Sequence, residues 1–405
     1  MTDETPSPLA RRTTCVYFFV FIAIGMSGGL LGPALPHLAA MTGSTMGQIA
    51  VLFTARALGN ILGSVASGLL ADRLPGHRVL IGMLLLLVAG LAGVPFSQPL
   101  MVLTAAVFLL GFAEVSINTV TNTLLLMLHG VRSPPWISAL HFFFGLGSML
   151  VPLVLVGVLT LSGQALGTFW LVALFSLLLV VPLARLPGPP PAQGRMAGRD
   201  DAPPPDRRRL GLFLGLFALY VGTEVTFAGW ITAYATLEGL ASGEAALLVT
   251  LFWLTLSAGR LLAIPLLRRL TPWMVLRLCL GLGLLTTLGM QLGWLPLSAV
   301  ALLFGLACSA IFPTLFGLGS QVMTMRGRTT GLVFLAAGSG AMAVPTLAGP
   351  LLEWAGTGAF PLLLLLLVAL MIAGLVALRR HVRRGLASPA AGDQARHRQP
   401  GKELP

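Results

Sequence analysis

Residues 186–209 read Leu-Pro-Gly-Pro-Pro-Pro-Ala-Gln-Gly-Arg-Met-Ala-Gly-Arg-Asp-Asp-Ala-Pro-Pro-Pro-Asp-Arg-Arg-Arg. Proline-rich, charged with both signs and free of any apolar run, this stretch cannot bury apolar surface and reads as a flexible linker. The chain on either side has the opposite character. Across all 405 residues, 56% are apolar and 9% charged, with a mean hydropathy of +0.91. A soluble domain carries about 25% charged residues, so a soluble globular protein, a disordered chain and a disulfide scaffold are all excluded. Cys15, Cys279 and Cys308 are scattered. They read as small hydrophobes, without disulfide or metal spacing.

Outward from the linker, a bilayer core about 30 Å thick asks for roughly 20 apolar residues per helix. Such runs fall at 14–40, 46–70, 79–96, 100–127, 136–161 and 166–185 before the linker. After it they fall at 210–237, 245–267, 274–294, 297–322, 329–351 and 358–378. They are numbered here as spans 1 to 12. The expected fold is an all-α membrane protein, twelve transmembrane helices in two pseudo-symmetric six-helix bundles. The expected organisation is an N-terminal segment (1–13), a first bundle (14–185), the linker (186–209), a second bundle (210–379) and a basic tail (380–405).

The net charge of +12 would point to nucleic acid in a soluble protein, but its placement gives another reading. With cytoplasmic termini, 23 of the 25 cations fall on the cytoplasmic side, and the outer loops carry Glu238, Glu244 and Glu353 instead. This is the positive-inside pattern. Arg11-Arg12 followed by an apolar stretch resembles a signal peptide. The stretch runs to about Leu38, too long for one, and reads as a retained first span. The two remaining cations, Arg56 in span 2 and Arg260 in span 8, occupy the second helix of each half. Gly111-Phe112-Ala113 in span 4 likewise answers Gly305-Leu306-Ala307 in span 10. Two related six-helix halves are what alternating access requires, because a site between them opens to either side as they rock.

The loop after span 2, Gly68-Leu69-Leu70-Ala71-Asp72-Arg73-Leu74-Pro75-Gly76-His77-Arg78, resembles the signature of the major facilitator superfamily, Gly-x-Leu-Ala-Asp-Arg-x-Gly-Arg-Arg/Lys. It departs from that signature after Arg73, where Pro75 is inserted and His77 precedes the basic Arg78. The resemblance covers about residues 14–380 and implies a gating role for Gly68, Asp72, Arg73 and Arg78. Three stretches look like the fucose-permease and sodium/glucose-transporter-like branch. These are Gly111 to Gly130 with Asn118 and Asn122, His141 to Gly147 with Pro152, and Tyr220-Val221-Gly222-Thr223-Glu224 leading to Gly229-Trp230. Fucose permeases share a carboxylate in the first helix, and span 1 has none between Arg12 and Leu38.

A carboxylate at the centre of a spanning helix costs about 2.5–3.5 kcal/mol on insertion scales. Of 13 acids only Glu114 and Glu224 lie mid-helix. At 100° per residue, Asn118 lies about 40° and Asn122 about 80° from Glu114, forming one polar stripe on span 4. On span 7, Tyr220, Phe227 and Tyr234 lie within about 80° of Glu224, an acid beside aromatic faces that suits a hydroxylated solute. Trp230 joins them if Gly229 bends the helix. His141 is a candidate hydrogen-bond donor to substrate, and Arg56 and Arg260 are candidate intramembrane partners for the two acids. Glycine pairs Gly25/Gly29, Gly28/Gly32 and Gly59/Gly63 allow close helix approach. Pro33, Pro36, Pro152, Pro313, Pro345 and Pro350 are expected to bend spans 1, 5, 10 and 11.

The expected function is secondary active transport of a small polar solute, a sugar, by alternating access coupled to protons or sodium. A proton-driven multidrug or metabolite efflux antiporter is the alternative, and a non-transporting membrane sensor is the reading from another class. Neither a catalytic constellation nor a phosphate loop is present in the sequence, and the single lysine is Lys402, so no enzyme, cofactor or structural metal is expected. The expected partners are a small-molecule substrate and the bilayer, without nucleic acid, in a monomer of the inner (plasma) membrane with both termini cytoplasmic.

Overall fold

A computed structural model describes residues 8–71, 74–130, 133–187, 206–323 and 327–386. Twelve helices are long and apolar enough to cross a membrane. Spans 1 to 6 are Pro8–Thr42, Met46–Ser67, Gly76–Phe96, Leu100–His129, Pro135–Ser162 and Gly167–Arg185; spans 7 to 12 are Arg207–Leu237, Ser242–Leu267, Pro272–Gln291, Leu297–Gly319, Gly331–Ala355 and Ala359–Arg384. Helix is the solution that lipid imposes, because each backbone polar group must find its partner inside its own segment. Several helices outrun the apolar runs at the ends nearest the termini. Span 1 begins before Arg11 and Arg12, which are exposed, and span 12 carries on through Arg383 and Arg384. Long basic side chains there reach the polar interface.

The two halves share one packing scheme. Spans 1 and 5 pair as 7 and 11 do, 2 and 4 as 8 and 10, 3 and 6 as 9 and 12. Glycines set these contacts. A Cβ on Gly147 would strike the Ile22 carbonyl, and one on Gly340 the Ala218 carbonyl. Gly111 bears likewise on the Arg56 carbonyl, and Gly305 on the Phe252 carbonyl. Small residues drive helix association where no hydrophobic effect operates.

That register corrects the sequence repeat. Gly111 against Gly305 holds, but it aligns Arg56 with Phe252, not with Arg260. Arg260 lies two turns nearer the terminal face, level with Ser64. By the same register Glu114 aligns with Cys308, and Glu224 with Gly28. The two Glu–Arg sets are therefore not symmetry mates.

Most helices are continuous, prolines included. Span 2 is interrupted at Ala50, between Met46–Ile49 and Val51–Ala71, and span 10 at Ala310, with helix over Leu297–Ser309 and again over Ile311–Val322. Pro313 explains the break in span 10: it offers no N–H, and its ring would collide with the carbonyl of Ser309 in an unbroken helix. The Tyr220 hydroxyl donates to the nearby Cys308 carbonyl at 3.0 Å.

Twelve crossings place both ends of the chain on one face, the terminal face. There Asp206 accepts from the Arg208 amide at 2.9 Å, capping span 7, and bonds to His381 of span 12. The hydrogen bond from His381, with the backbone donors, holds the Asp206 carboxyl below the usual carboxylate range.

On the far face the halves are joined. The Gly47 amide donates to Glu353 Oε2 at 2.8 Å, Thr54 and Thr346 hydroxyls bond at 2.7 Å, and Thr250 donates to the Met149 carbonyl at 3.1 Å. Gly32 packs on the Ala228 carbonyl. A capping box, Thr45 with Gln48, opens span 2, so Glu353 meets a helix N-terminus whose free N–H groups favour an anion. A charge-assisted bond of this kind contributes about 1.5–3 kcal/mol when shielded and less when exposed. Glu353→Ala, or Gly47→Ala, whose methyl would crowd the carboxylate, is therefore expected to loosen the far face. In a background without the three native cysteines, a cysteine at Phe53 should be labelled severalfold faster by an impermeant thiol reagent applied from that face.

Candidate functional site

Between the halves lies a cavity of about 330 Å³, walled by spans 1, 2, 4 and 5 on one side and spans 7, 8 and 11 on the other. On the N-terminal side stands a closed polar network. Arg56 meets Glu114 Oε2 through Nη2 at 2.6 Å and Nε at 3.1 Å. Ser27 donates to the other carboxylate oxygen at 2.5 Å, and Arg56 Nη1 donates to the Gly28 carbonyl at 2.9 Å. A Cβ on Gly28 would lie 3.1 Å from the guanidinium, a tight contact that glycine spares. Three helices thus meet on one ion pair, and its multiple hydrogen bonds offset the cost of taking two charges out of water.

The C-terminal pair is built differently. Arg260 Nη2 and Glu224 Oε1 are 4.0 Å apart, with side chains 37% and 14% exposed against 18% and 10% for Arg56 and Glu114. Arg260 Nε has no hydrogen-bond partner. Glu224 faces the cavity, whereas Arg260 reaches toward it from the terminal side. His141, also exposed, lies within electrostatic reach of Arg260 and meets the Phe21 ring edge-on at 5.9 Å.

Of the residues expected from sequence, Glu114, Asn118, Glu224 and Arg56 line the cavity. Asn122 does not; its amide turns back to the carbonyl and side-chain oxygens of Asn118, at 2.9 and 3.0 Å. The aromatic face of span 7 is placed otherwise than expected. Tyr220 is bonded to the break in span 10, and Phe227 is wedged between Phe252 and Phe304, at 4.9 and 4.7 Å. Trp230 donates to the Pro345 carbonyl at 2.9 Å, and Tyr234 packs on Phe360 at 5.1 Å. Each is buried. Their rings fill helix–helix contacts, the more favourable place for large apolar area that need not face a polar cavity. His141 lies outside the cavity wall as well.

The aromatic surface comes from elsewhere. Phe53, Phe144 and Trp253 line the cavity, together with Asn60 and Ser148. Phe144 and Trp253 meet edge to face across the halves, with centroids 6.4 Å apart. Asn60 follows Arg56 by one helical turn and was readable from that spacing; the three rings carried no signal among so many aromatics. Of the loop residues, Asp72 and Arg73 lie outside the described residues. Gly68 sits near the end of span 2's helix, and Arg78 is exposed at the start of span 3. His77, which departs from the signature, is buried, bonded to the Tyr17 hydroxyl at 2.7 Å and to the Leu186 carbonyl at 3.1 Å.

Twelve helices in two halves that pack alike around a central cavity with charged and amide side chains in its wall define a membrane transporter of the alternating-access type. The sequence profile of the Major Facilitator Superfamily matches residues 17–345, and the chain belongs to that family. It is 30% identical to the sodium-dependent glucose transporter 1 of Rattus norvegicus, over 86% of this chain and 80% of that one. It is 27% identical to sodium-dependent glucose transporter 1A of Mus musculus, over 82% and 88%. Among solved structures, the nucleoside transporter NupG superposes with a TM-score of 0.74 at 15% identity, over 92% of this chain and 98% of that one. A D-xylose-proton symporter superposes with 0.70 at 13%, over 89% and 97%. These confirm the fold. The chain is a multi-pass transporter of a small molecule, not an enzyme.

The closed network makes a stability prediction. Removing one member of a buried pair strands the other and typically costs about 3–5 kcal/mol, whereas neutralising both costs less. Arg56→Gln should lower the thermal unfolding midpoint of the detergent-purified protein more than the double variant Arg56→Gln with Glu114→Gln.

Proposed function

We propose that the chain takes up a small neutral hydroxylated solute, a sugar, in the cavity between its halves, driven by a gradient of protons or sodium. The single observation that carries this reading is the cavity's composition. Its volume falls at the lower end of the range for small-molecule sites, about 300–1,000 Å³. Three aromatic side chains supply apolar faces, and Asn60 and Asn118 supply amides. Glu114 is paired with Arg56 and Glu224 stands beside Arg260, so the charges balance. Rings cover the C–H faces of a pyranose, while amides donate to and accept from hydroxyls. The names of the relatives, glucose transporters dependent on sodium and a D-xylose-proton symporter, support the same class.

The protein acts as a monomer without cofactor in the plasma membrane, with both termini cytoplasmic, the side the positive charges favour. On that orientation the far-face contacts close the outer entrance and the structure faces the cytoplasm. The loop of Gly68, Asp72, Arg73 and Arg78 serves the opposite gate. Transport proceeds by exchanging one closure for the other around the cavity.

The test is uptake and counterflow in proteoliposomes with a panel of hexoses and pentoses, under imposed proton or sodium gradients. Accumulation of at least one sugar is expected, and Trp253→Ala should raise its apparent KM about tenfold, as loss of a stacking face worth about 1–1.5 kcal/mol requires. Transport of no sugar, together with extrusion of lipophilic dyes, would instead favour the efflux antiporter.

A further inference from the structure

The two Glu–Arg pairs differ in a way that divides their labour. Every polar atom at the ends of Arg56 and Glu114 that the geometry places near a partner is engaged. Such a pair holds its half together. It exchanges partners only by breaking several charge-assisted bonds at once.

Glu224 and Arg260 have no hydrogen bond between them at 4.0 Å, and the guanidinium Nε is buried without a partner. Their surroundings are also discontinuous. Gly259, next to Arg260, abuts Ser309 at the end of the first helical segment of span 10; a Cβ there would strike the Ser309 side chain. Tyr220, one turn before Glu224, is bonded to the Cys308 carbonyl at the same break. A carboxylate facing the cavity, a half-solvated arginine and a helix break therefore share one locus in the C-terminal half. The N-terminal half has nothing equivalent, because register puts Gly28 and Ser64 at the corresponding positions.

We infer that Glu224, not Glu114, carries the coupling cation, with Arg260 as the partner it leaves and rejoins. This deepens the ion-coupled reading above and rests on it. When a proton or a sodium ion neutralises Glu224, the attraction to Arg260 falls and the guanidinium is released toward the water-exposed terminal side. When the cation departs, the pair re-forms. The break in span 10 supplies a joint that lets span 8 and span 7 shift relative to one another without tearing a continuous helix. Each element facing the locus is accounted for. Tyr220 shares span 7, Cys308 comes from span 10, His141 from span 5 faces Arg260, and Arg56 with Glu114 stands across the cavity. Of these, only Arg260 opposes cation binding at Glu224 directly, since Arg56 is already neutralised by Glu114.

The test needs no substrate. Trp253 lines the same cavity as Glu224, so the intrinsic fluorescence of the full-length protein in detergent should respond to titration with sodium or with protons, whichever couples. Glu224→Gln is expected to abolish the response. Arg260→Gln should move its midpoint to a cation concentration at least tenfold lower, because the competing charge is gone. The double variant Arg56→Gln with Glu114→Gln, which strands neither charge of the N-terminal pair, should keep a response near the wild-type midpoint while weakening sugar counterflow. Elution as a single species confirms that each variant is folded, and Glu224→Ala, equally without a carboxylate, replaces Glu224→Gln if the latter is not. A wild-type response in Glu224→Gln would overturn the inference. So would its loss in the double variant Arg56→Gln with Glu114→Gln, or a wild-type protein that responds to neither cation. Absence of sugar counterflow in the wild type would overturn only the sugar reading.

Discussion

A charge inside a bilayer must be neutralised close by, and this constraint organises the centre of the molecule. Arg56, Glu114, Glu224 and Arg260 are the charges in the membrane interior, and all sit at or beside the interface of the two halves. Outside a protein interior each would cost a few kcal/mol. Brought together in pairs around a cavity, they become affordable and useful at once. The surrounding glycines are the geometric condition for this, because Gly111 brings span 4 against span 2 and Gly28 leaves room for the Arg56 guanidinium. Packing and electrostatics are thus one arrangement.

The symmetry of the fold and the asymmetry of the site are both informative. The halves use the same helix pairs and the same glycine-on-carbonyl contacts, which is what lets one half rock on the other. Yet the N-terminal pair is closed and fully bonded, and the C-terminal pair is open and sits against the break made by Pro313. A closed pair and an open pair facing one cavity give its two walls different electrostatic character.

Much of this was legible in the sequence, for physical reasons. Twelve spans follow from the length of apolar runs, and the midplane acids stand out because lipid makes them rare. The superfamily could be read from the loop after span 2. Helical periodicity put Asn118 on the face of Glu114, and Arg56 stood out as a cation within span 2 and a partner for an acid. What could not be read was which face of an apolar helix meets lipid, which a neighbour and which the cavity. Tyr220, Phe227, Trp230 and Tyr234 are aromatic and close to Glu224 on span 7, but all four are buried in helix–helix contacts, Trp230 against Phe53 of the other half. Phe53, Phe144 and Trp253 look no different in sequence from rings that face lipid. The apparent kinship of Arg56 and Arg260 failed for a related reason. Register is set by where glycines meet carbonyls, and that contact is invisible along the chain.

The account's central claim is that the halves exchange one closure for another around this cavity. The most direct measurement is a pair of spin-label distances in liposomes, one joining Ser44 to Gly356 on the far face and one joining Leu62 to Leu335 toward the terminal face. Addition of a transported solute should lengthen the first distance in a fraction of molecules and shorten the second in the same fraction. Distances that stay fixed, or that lengthen together, would contradict it.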